Sequence, residues 1–373
     1  MKKLVILNQN YFKYEIGGAE HQSYLIAKEF VKYGYEVHYI FINTGNHDVP
    51  KVDQGINLHP MKHIFKHKIF GKPFFAYNFK IIKILNEIKP DFIYHRALSA
   101  FLGVASFYKR SNNCKLFWHI ALKTDVQKLK YFKHPNLIST FFNNSFILKG
   151  VKSVDGIFVQ EEYHTDQLRI NYSITKSVVK IDKFLEPIPL KETARNQKNI
   201  IWVANIKPVK QLEYFLEIAD SFKHIEDFRF IVVGSLVSGT YQDNLREKIK
   251  NLPNVDFKGS IPFESVNDLM TNSDIFINTS SYEGGPPVTF IQAWLSKTLI
   301  LSLNVDPDNV FSKDEMGIYF ENDIENLKQS LKEILNDSSL LDSYTSKAFK
   351  YANKKYSLRN IEKIKDTFEN QES

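Results

Sequence analysis

"SYEGGPPVTFIQAW", residues 281–294, is the stretch on which the reading of this chain turns. One carboxylate, Glu283, stands directly before Gly284, Gly285, Pro286 and Pro287, and an apolar run of helical character follows. Glycines leave the backbone open to close approach, so their N–H groups are free to donate. Pro287 suits the first position of a helix, where its missing N–H would have no partner anyway. The helix start adds unpaired N–H groups and the positive end of its dipole. Such a place holds a polyhydroxylated, anionic molecule, with Glu283 accepting from hydroxyls. The plainer reading is a Gly-Pro turn capped by an acid, and these residues weigh the two equally.

Outward from this stretch, short apolar runs alternate with helical patterns. "NIIWVA" (199–204), "FRFIVVG" (228–234), "NVDFKG" (254–259), "DIFINT" (274–279) and "TLILSL" (298–303) each read as a buried strand followed by a helix. The first half repeats the scheme with "KLVILN" (3–8), "EVHYIFI" (36–42), "DFIY" (91–94), "KLFWHI" (115–120) and "GIFVQ" (156–160). A helix is expected over Gly18–Tyr33, closed by Gly34. Such alternation predicts parallel sheets covered by helices on both faces. Between the halves, "FLEPIPLKETARNQ" carries two prolines and a polar run, the composition of a linker. The expectation is an α/β chain of two domains, 1–185 and 186–373, with the last helix free to cross back to the first. Two such domains in series leave a cleft, the usual place for a ligand.

Composition narrows the class. The 373 residues suit two domains of ordinary size. The apolar run in "MKKLVILNQNYF" is broken by Asn8, Gln9 and Asn10, too short for a secretory signal. No run of about 18 apolar residues suggests a membrane span. Cys114 is the only cysteine, which excludes an intramolecular disulfide and a cysteine zinc cluster. A cytoplasmic setting is expected. The net charge of +7 divides into +13 over residues 1–185 and −6 over residues 186–373. Residues 51–150 alone hold 17 basic against 4 acidic residues, which points to an anionic partner or to a solvated lysine-rich surface.

Four further segments carry chemistry. "IGGAEHQ" (16–22) places Gly17 and Gly18 where the first helix opens; it is not the G-x-G-x-x-G dinucleotide fingerprint, but it lets a sugar ring or diphosphate approach the backbone. "VANIKPVKQ" (203–211) leaves a strand and enters a helix, where Lys207 and Lys210 either offset the charge of a leaving diphosphate or are surface lysines at a helix start. "WHIALKTD" (118–125) puts His119 at a strand end, as a substrate contact, a proton-transfer group or a satisfied structural histidine. "NVDPDN" (304–309) has the D-x-D spacing of a metal-binding sugar transferase, yet a proline turn after a late strand is the favoured reading.

Together these motifs resemble the retaining glycosyltransferases of family 4, with the GT-B fold of two facing Rossmann-like domains and a cleft between them. The resemblance spans nearly the whole chain and is strongest over residues 199–310. The family's glycine-rich loop corresponds to "IGGAE", its G-R-x-x-x-x-K-G stretch to "ANIKPVKQ", and its S-x-x-E and spaced-glutamate motif to "SSYEGGPPVTFIQAW". Two positions depart from the pattern. The family arginine falls on Asn205, so Lys210, assisted by Lys207, carries the phosphate-facing charge, without an arginine's bidentate fork. The second glutamate is Gln292, one residue beyond the usual spacing.

The resemblance implies transfer of a sugar from a nucleotide-diphosphate sugar with retention of configuration. Glu283, Gly284 and Gly285 would hold the sugar, Gln292 the ribose and Lys210 the diphosphate, with Gly17, Gly18, Asn205 and Lys207 completing the donor site. His119 would lie near the sugar ring and orient the acceptor side, and the leaving phosphate would assist deprotonation of the acceptor. No metal or separate cofactor is implied. The acceptor, a saccharide or lipid-linked saccharide of surface-polysaccharide assembly, would be held by the basic first half. "MKHIFKHKIFGKPFFAYNFKIIK" (61–83) interleaves lysines with Phe and Ile, and is either the contact of a peripheral enzyme with an anionic membrane surface or a segment with Phe and Ile in the core and lysines in solvent. The alternatives are a catalytically degenerate scaffold or binding subunit, favoured by Asn205 and Gln292, and a nucleotide-sugar 2-epimerase. No nucleic-acid-binding motif is present in the sequence.

Overall fold

The computed structural model describes residues 1–15, 17–64, 74–129, 137–176, 178–190, 197–236, 239–283 and 285–370. The chain divides into two compact units, one of Met1–Phe184 with the chain from Leu358 onward, the other of Leu185–Ser357. The division falls one residue before the expected boundary, and the terminal helix Asn360–Asn370 counts with the first unit. That helix inserts Phe368 between the first sheet and the helix Gly18–Lys32, with ring centroids 4.2 Å from Phe117 and 5.0 Å from Phe92 of the sheet and 5.3 Å from Phe30 of the helix.

The first unit is built on β1 (Lys3–Leu7), β2 (Glu36–Asn43), β3 (Val52–Asp53), β4 (Ile56–Lys62), β5 (Phe92–Arg96), β6 (Lys115–His119), β7 (Gly156–Val159) and β8 (Val178–Lys180). They form one sheet in the order β3-β4-β2-β1-β5-β6-β7-β8, and β3 against β4 is its one antiparallel pairing among the described residues. Leu4 to Leu7 of β1 are all fully buried, as expected of a central parallel strand covered on both faces. The helix Gly18–Lys32 follows β1, and Gly34 after it has φ +82°, the left-handed conformation that lets the chain turn back into β2.

The second unit contains β9 (Lys198–Val203), β10 (Phe228–Val233), β11 (Val255–Gly259), β12 (Ile275–Asn278), β13 (Leu299–Ser302) and β14 (Ile318–Tyr319), all parallel, in the order β11-β10-β9-β12-β13-β14. Numbered within the unit this is 3-2-1-4-5-6, the doubly wound order. Alternate residues of β9 serve opposite faces: Ile200 and Trp202 join one apolar core, Ile201 the other. The strand order reverses between β9 and β12. In open α/β sheets, ligands bind beyond the carboxyl ends of the strands at such a reversal.

Candidate functional site

The loops beyond β9 and β12 carry Asn205, Lys207, Lys210, Glu283 and Gly285, and hydrogen bonds sew the two loops together. Trp202 Nε1, at the end of β9, donates to Thr279 Oγ1 at 2.9 Å. Thr279 Oγ1 in turn donates to the Lys210 carbonyl at 2.9 Å, and the Ser281 N–H donates to the Val209 carbonyl at 2.9 Å. The sequence reading runs Lys210 straight into a helix. Instead, Pro208–Lys210 forms a short 3₁₀ turn, Gln211 takes a left-handed conformation at φ +48°, and the helix proper covers Leu212–Ser221. The turn keeps Lys210 in the loop and brings its ammonium onto the Glu283 carboxylate. Both side chains are mostly covered, 21% and 11% exposed.

Glu283 is followed by Gly284, which lies outside the described residues, and by Gly285 at φ +87°, a conformation that glycine adopts without strain. Pro287 was expected as the first residue of the helix; it is the extended residue before it, and the helix covers Val288–Leu295. Asn205 and Lys207 are exposed on the β9 side of the site. Gln292 stands apart: it is 2% exposed, and its side-chain amide donates to Asn267 Oδ1 at 2.6 Å. The structure thus unites Lys210 and Glu283, and gives Gln292 a protein partner. An ion pair at a sheet reversal, beside a glycine turn and a helix start, offers a cation to phosphate oxygens and a carboxylate to hydroxyls.

Asp306 of the D-x-D segment accepts from the backbone N–H groups of Phe311 and Ser312 at 2.9 and 3.0 Å, and from Ser312 Oγ at 2.6 Å. Its carboxylate closes a turn. Among the described residues, no group of three or more His, Cys, Asp or Glu is placed to hold a metal ion.

In the first unit, Gly17 is the extended residue before the helix Gly18–Lys32, with φ −159°, a conformation open to any residue. A side chain there would collide with the Glu20 carboxylate, so an anion at this helix start would face a negative charge. His119 ends β6 and is 1% exposed. Its Nδ1 lies 2.7 Å from the Tyr94 hydroxyl and 3.1 Å from Arg96 Nη1. Burial, then the positive charge of Arg96, then His164 hold the imidazole well below its ordinary pKa. Tyr94 and Arg96 escaped the sequence reading. The signal was there in "FIYHR", a strand whose arginine is 5% exposed, but an arginine at a strand end reads by default as a surface residue.

Residues 197–337 match the family model described as Glycosyl transferases group 1. The fold of the whole chain is GT-B, the fold of glycosyltransferases with which it superposes over nearly its full length. These two findings support a GT-B glycosyltransferase. Anabaena Alr3699/HepE, solved in complex with UDP and glucose, is similar with a TM-score of 0.72 and 16% identity, covering 99% of this chain and 100% of that one. WaaG, a glycosyltransferase involved in lipopolysaccharide biosynthesis, is similar with a TM-score of 0.70 and 16% identity, covering 98% and 99% of the two chains. A relative in sequence is an uncharacterized 42.6 kDa protein in the cps region of Klebsiella pneumoniae, 22% identical and covering 87% of this chain and 91% of its own.

Proposed function

We propose that the chain is a retaining glycosyltransferase of the family 4 type, which moves a sugar from a nucleotide-diphosphate sugar to a saccharide or lipid-linked saccharide in surface-polysaccharide assembly. The observation that carries this reading is the Lys210–Glu283 pair at the strand-order reversal of the second unit, inside the segment that matches the glycosyltransferase family model. Lys210 exchanges its carboxylate for the diphosphate and offsets the charge of the leaving group, which is why no metal is assigned. Glu283, released from Lys210, accepts from the hydroxyls of the sugar. The leaving phosphate assists deprotonation of the acceptor hydroxyl.

UDP in the HepE complex favours a uridine donor, and the cps-region relative and WaaG favour a polysaccharide setting. For a peripheral membrane site, residues 65–73 of the interleaved segment lie outside the described residues. Its flank, the helix Phe74–Ile88, buries Tyr77, Ile81, Leu85 and Ile88 while Phe79 is 79% exposed beside exposed Lys80 and Lys83. That outer face suits contact with anionic headgroups. No helix among the described residues is long and apolar enough to cross a membrane.

The test is thermal denaturation of the chain against UDP, GDP, ADP and CMP. A ligand that binds only the folded protein raises Tm by mass action. The expected result is a rise with one nucleoside diphosphate that Lys210→Ala sharply reduces. No rise with any of them would sink the donor assignment and bring forward the scaffold reading. Sedimentation with anionic liposomes decides the membrane part: a chain that stays in the supernatant is not peripheral.

A further inference from the structure

The carboxyl ends of β5 and β6 carry a buried hydrogen-bond cluster around His119. Successive residues of a strand point to opposite faces, so Tyr94 and Arg96 of β5 share one face. The parallel register sets Arg96 beside His119 of β6. Arg96 is itself tied down, its backbone N–H donating to Asn8 Oδ1 at 3.0 Å, while Asn8 Nδ2 donates to Ser23 Oγ and Tyr39 Oη at 2.8 and 3.1 Å. Its Nη1 reaches both His119 Nδ1 and the Tyr94 hydroxyl, at 3.1 and 3.3 Å.

A guanidinium has only donors and keeps its protons. The Tyr94 hydroxyl, 2.7 Å from His119 Nδ1, can donate to a lone pair there as well. His119 Nδ1 therefore presents its lone pair, and the single proton of the neutral ring sits on Nε2. A second proton would have to enter at Nδ1, against the Arg96 N–H. His119 Nε2 is buried and has no hydrogen-bond partner among the described residues.

We infer that Arg96 is a positioning residue that holds His119 as a permanent Nε2–H donor, so that His119 recognises an oxygen of the substrate and does not take a proton from it. The substrate part of this inference rests on the glycosyltransferase reading; the part concerning the proton does not. The other groups facing the ring are Tyr94 from β5, Phe158 from β7 with ring centroids 5.6 Å apart, and His164 from the helix Glu162–Tyr172, which would repel a second proton on His119 when itself protonated.

The experiment is a long-range ¹H–¹⁵N spectrum of the full chain labelled at histidine nitrogens, titrated from pH 8 to 5.5. The His119 resonance, assigned by its loss in His119→Gln, is expected to show the Nε2–H tautomer throughout without titrating. Arg96→Met is expected to bring protonation or tautomer mixing into that range, and Arg96→Lys, which keeps a donor and a charge, to restore the wild-type pattern. An Nδ1–H signal or a titration step in the wild type overturns the inference, with no variant needed; so does an unchanged ring in a folded Arg96→Met.

The donor role is read in turnover of the sugar nucleotide whose base stabilises the chain. A lost neutral hydrogen bond costs about tenfold, so His119→Ala is expected to fall by about that factor. His119→Gln, whose amide N–H reaches the Nε2 position, is expected to recover most of it. Equal losses in the two variants overturn the donor role. Absence of turnover in the wild type counts against the glycosyltransferase reading alone, because the spectrum decides the position of the proton independently.

Discussion

Lys210 and Arg96 are both cations beyond or at the carboxyl end of a parallel strand, one in each unit, and their partners differ in kind. Lys210 meets the carboxylate of Glu283; Arg96 meets the lone pair of a neutral imidazole. An ion pair whose members are 21% and 11% exposed can open and exchange each partner for a ligand group of the same charge. A guanidinium beside a buried imidazole does the reverse: it removes the ring from acid–base chemistry. Similar sheets therefore carry an exchangeable charge in one unit and a fixed donor in the other, and the comparison can be broken in four ways.

The largest expected effect is acid. Six described histidines have lowered pKa values, His21 to about 3 and His95 to about 4, with His38, His59, His119 and His164 shifted in the same direction; burial is the leading cause in each, and all six lie in the first unit. A histidine neutral in the fold but free to protonate when unfolded gives stability fully present above pH 6.5. That stability is lost as pH falls toward the folded value. For His95 alone this is of order 3 kcal/mol by pH 4. In the second unit, Asp256 is held low by Lys258 and Arg229 despite its burial, and its contribution is lost only below about 3.8. Hydrogen exchange read by peptide between pH 7.5 and 4.5 should show the first unit opening while the second stays closed. Opening of the second unit first would contradict the division.

Next comes the division of labour within the ion pair. With a nucleoside diphosphate lacking sugar, Lys210→Ala should cost about 2 kcal/mol of binding, about thirtyfold in Kd, the scale of one charge-assisted hydrogen bond. Glu283→Ala should leave that binding intact or tighten it, because an acceptor-only carboxylate no longer competes for Lys210. With the sugar nucleotide the order changes, and Glu283→Ala should weaken binding as well. Calorimetry with both ligands reads this directly. Equal losses from Glu283→Ala with and without the sugar would show that the acid does not touch the sugar.

Gln292 gives the third test and a smaller effect. Its amide is buried against Asn267, so Gln292→Leu should cost about 1.5 kcal/mol of stability by leaving Asn267 Oδ1 without its donor. If the diphosphate-induced rise in Tm survives in the variant, Gln292 braces its helix; if the rise disappears, the residue also serves the ribose. Denaturant midpoints with and without ligand separate the two.

How much of this was legible differs between backbone and side chains. Strands such as "KLVIL" and "IIWV" declare themselves, because apolar residues buried on both faces leave few other structures for a short run. β4 did not: "INLHPMK" mixes Pro60 with His59 and Asn57, and its identity comes from pairing with β2, a partner distant in sequence. Glu283 was legible from its glycines and prolines. The Lys210 contact was not, since it depends on the left-handed Gln211 that holds the 3₁₀ turn short of the helix, a conformation glutamine does not advertise. Arg96 was hidden for a similar reason: its role comes from the register of β5 on β6, which no local pattern specifies.

The smallest expected effect probes the seam that holds the second-unit site together. Trp202 Nε1 donates to Thr279 Oγ1, and Thr279 in turn donates to the Lys210 carbonyl, so one indole N–H orients a hydroxyl that anchors the turn presenting the catalytic candidate. Trp202→Phe keeps most of the apolar packing and removes this donor, at about 1 kcal/mol. Thr279 is fully buried. Its freed oxygen loses its incoming bond while its proton still points at Lys210. If the two loops act as one rigid platform, diphosphate binding should weaken by no more than the stability lost, since Lys210 keeps its anchor. A loss of binding several times larger than the loss of stability would mean that the indole holds the Lys210 turn in its ligand-ready shape, and that the exchangeable charge depends on a rigid seam as much as the fixed donor depends on Arg96.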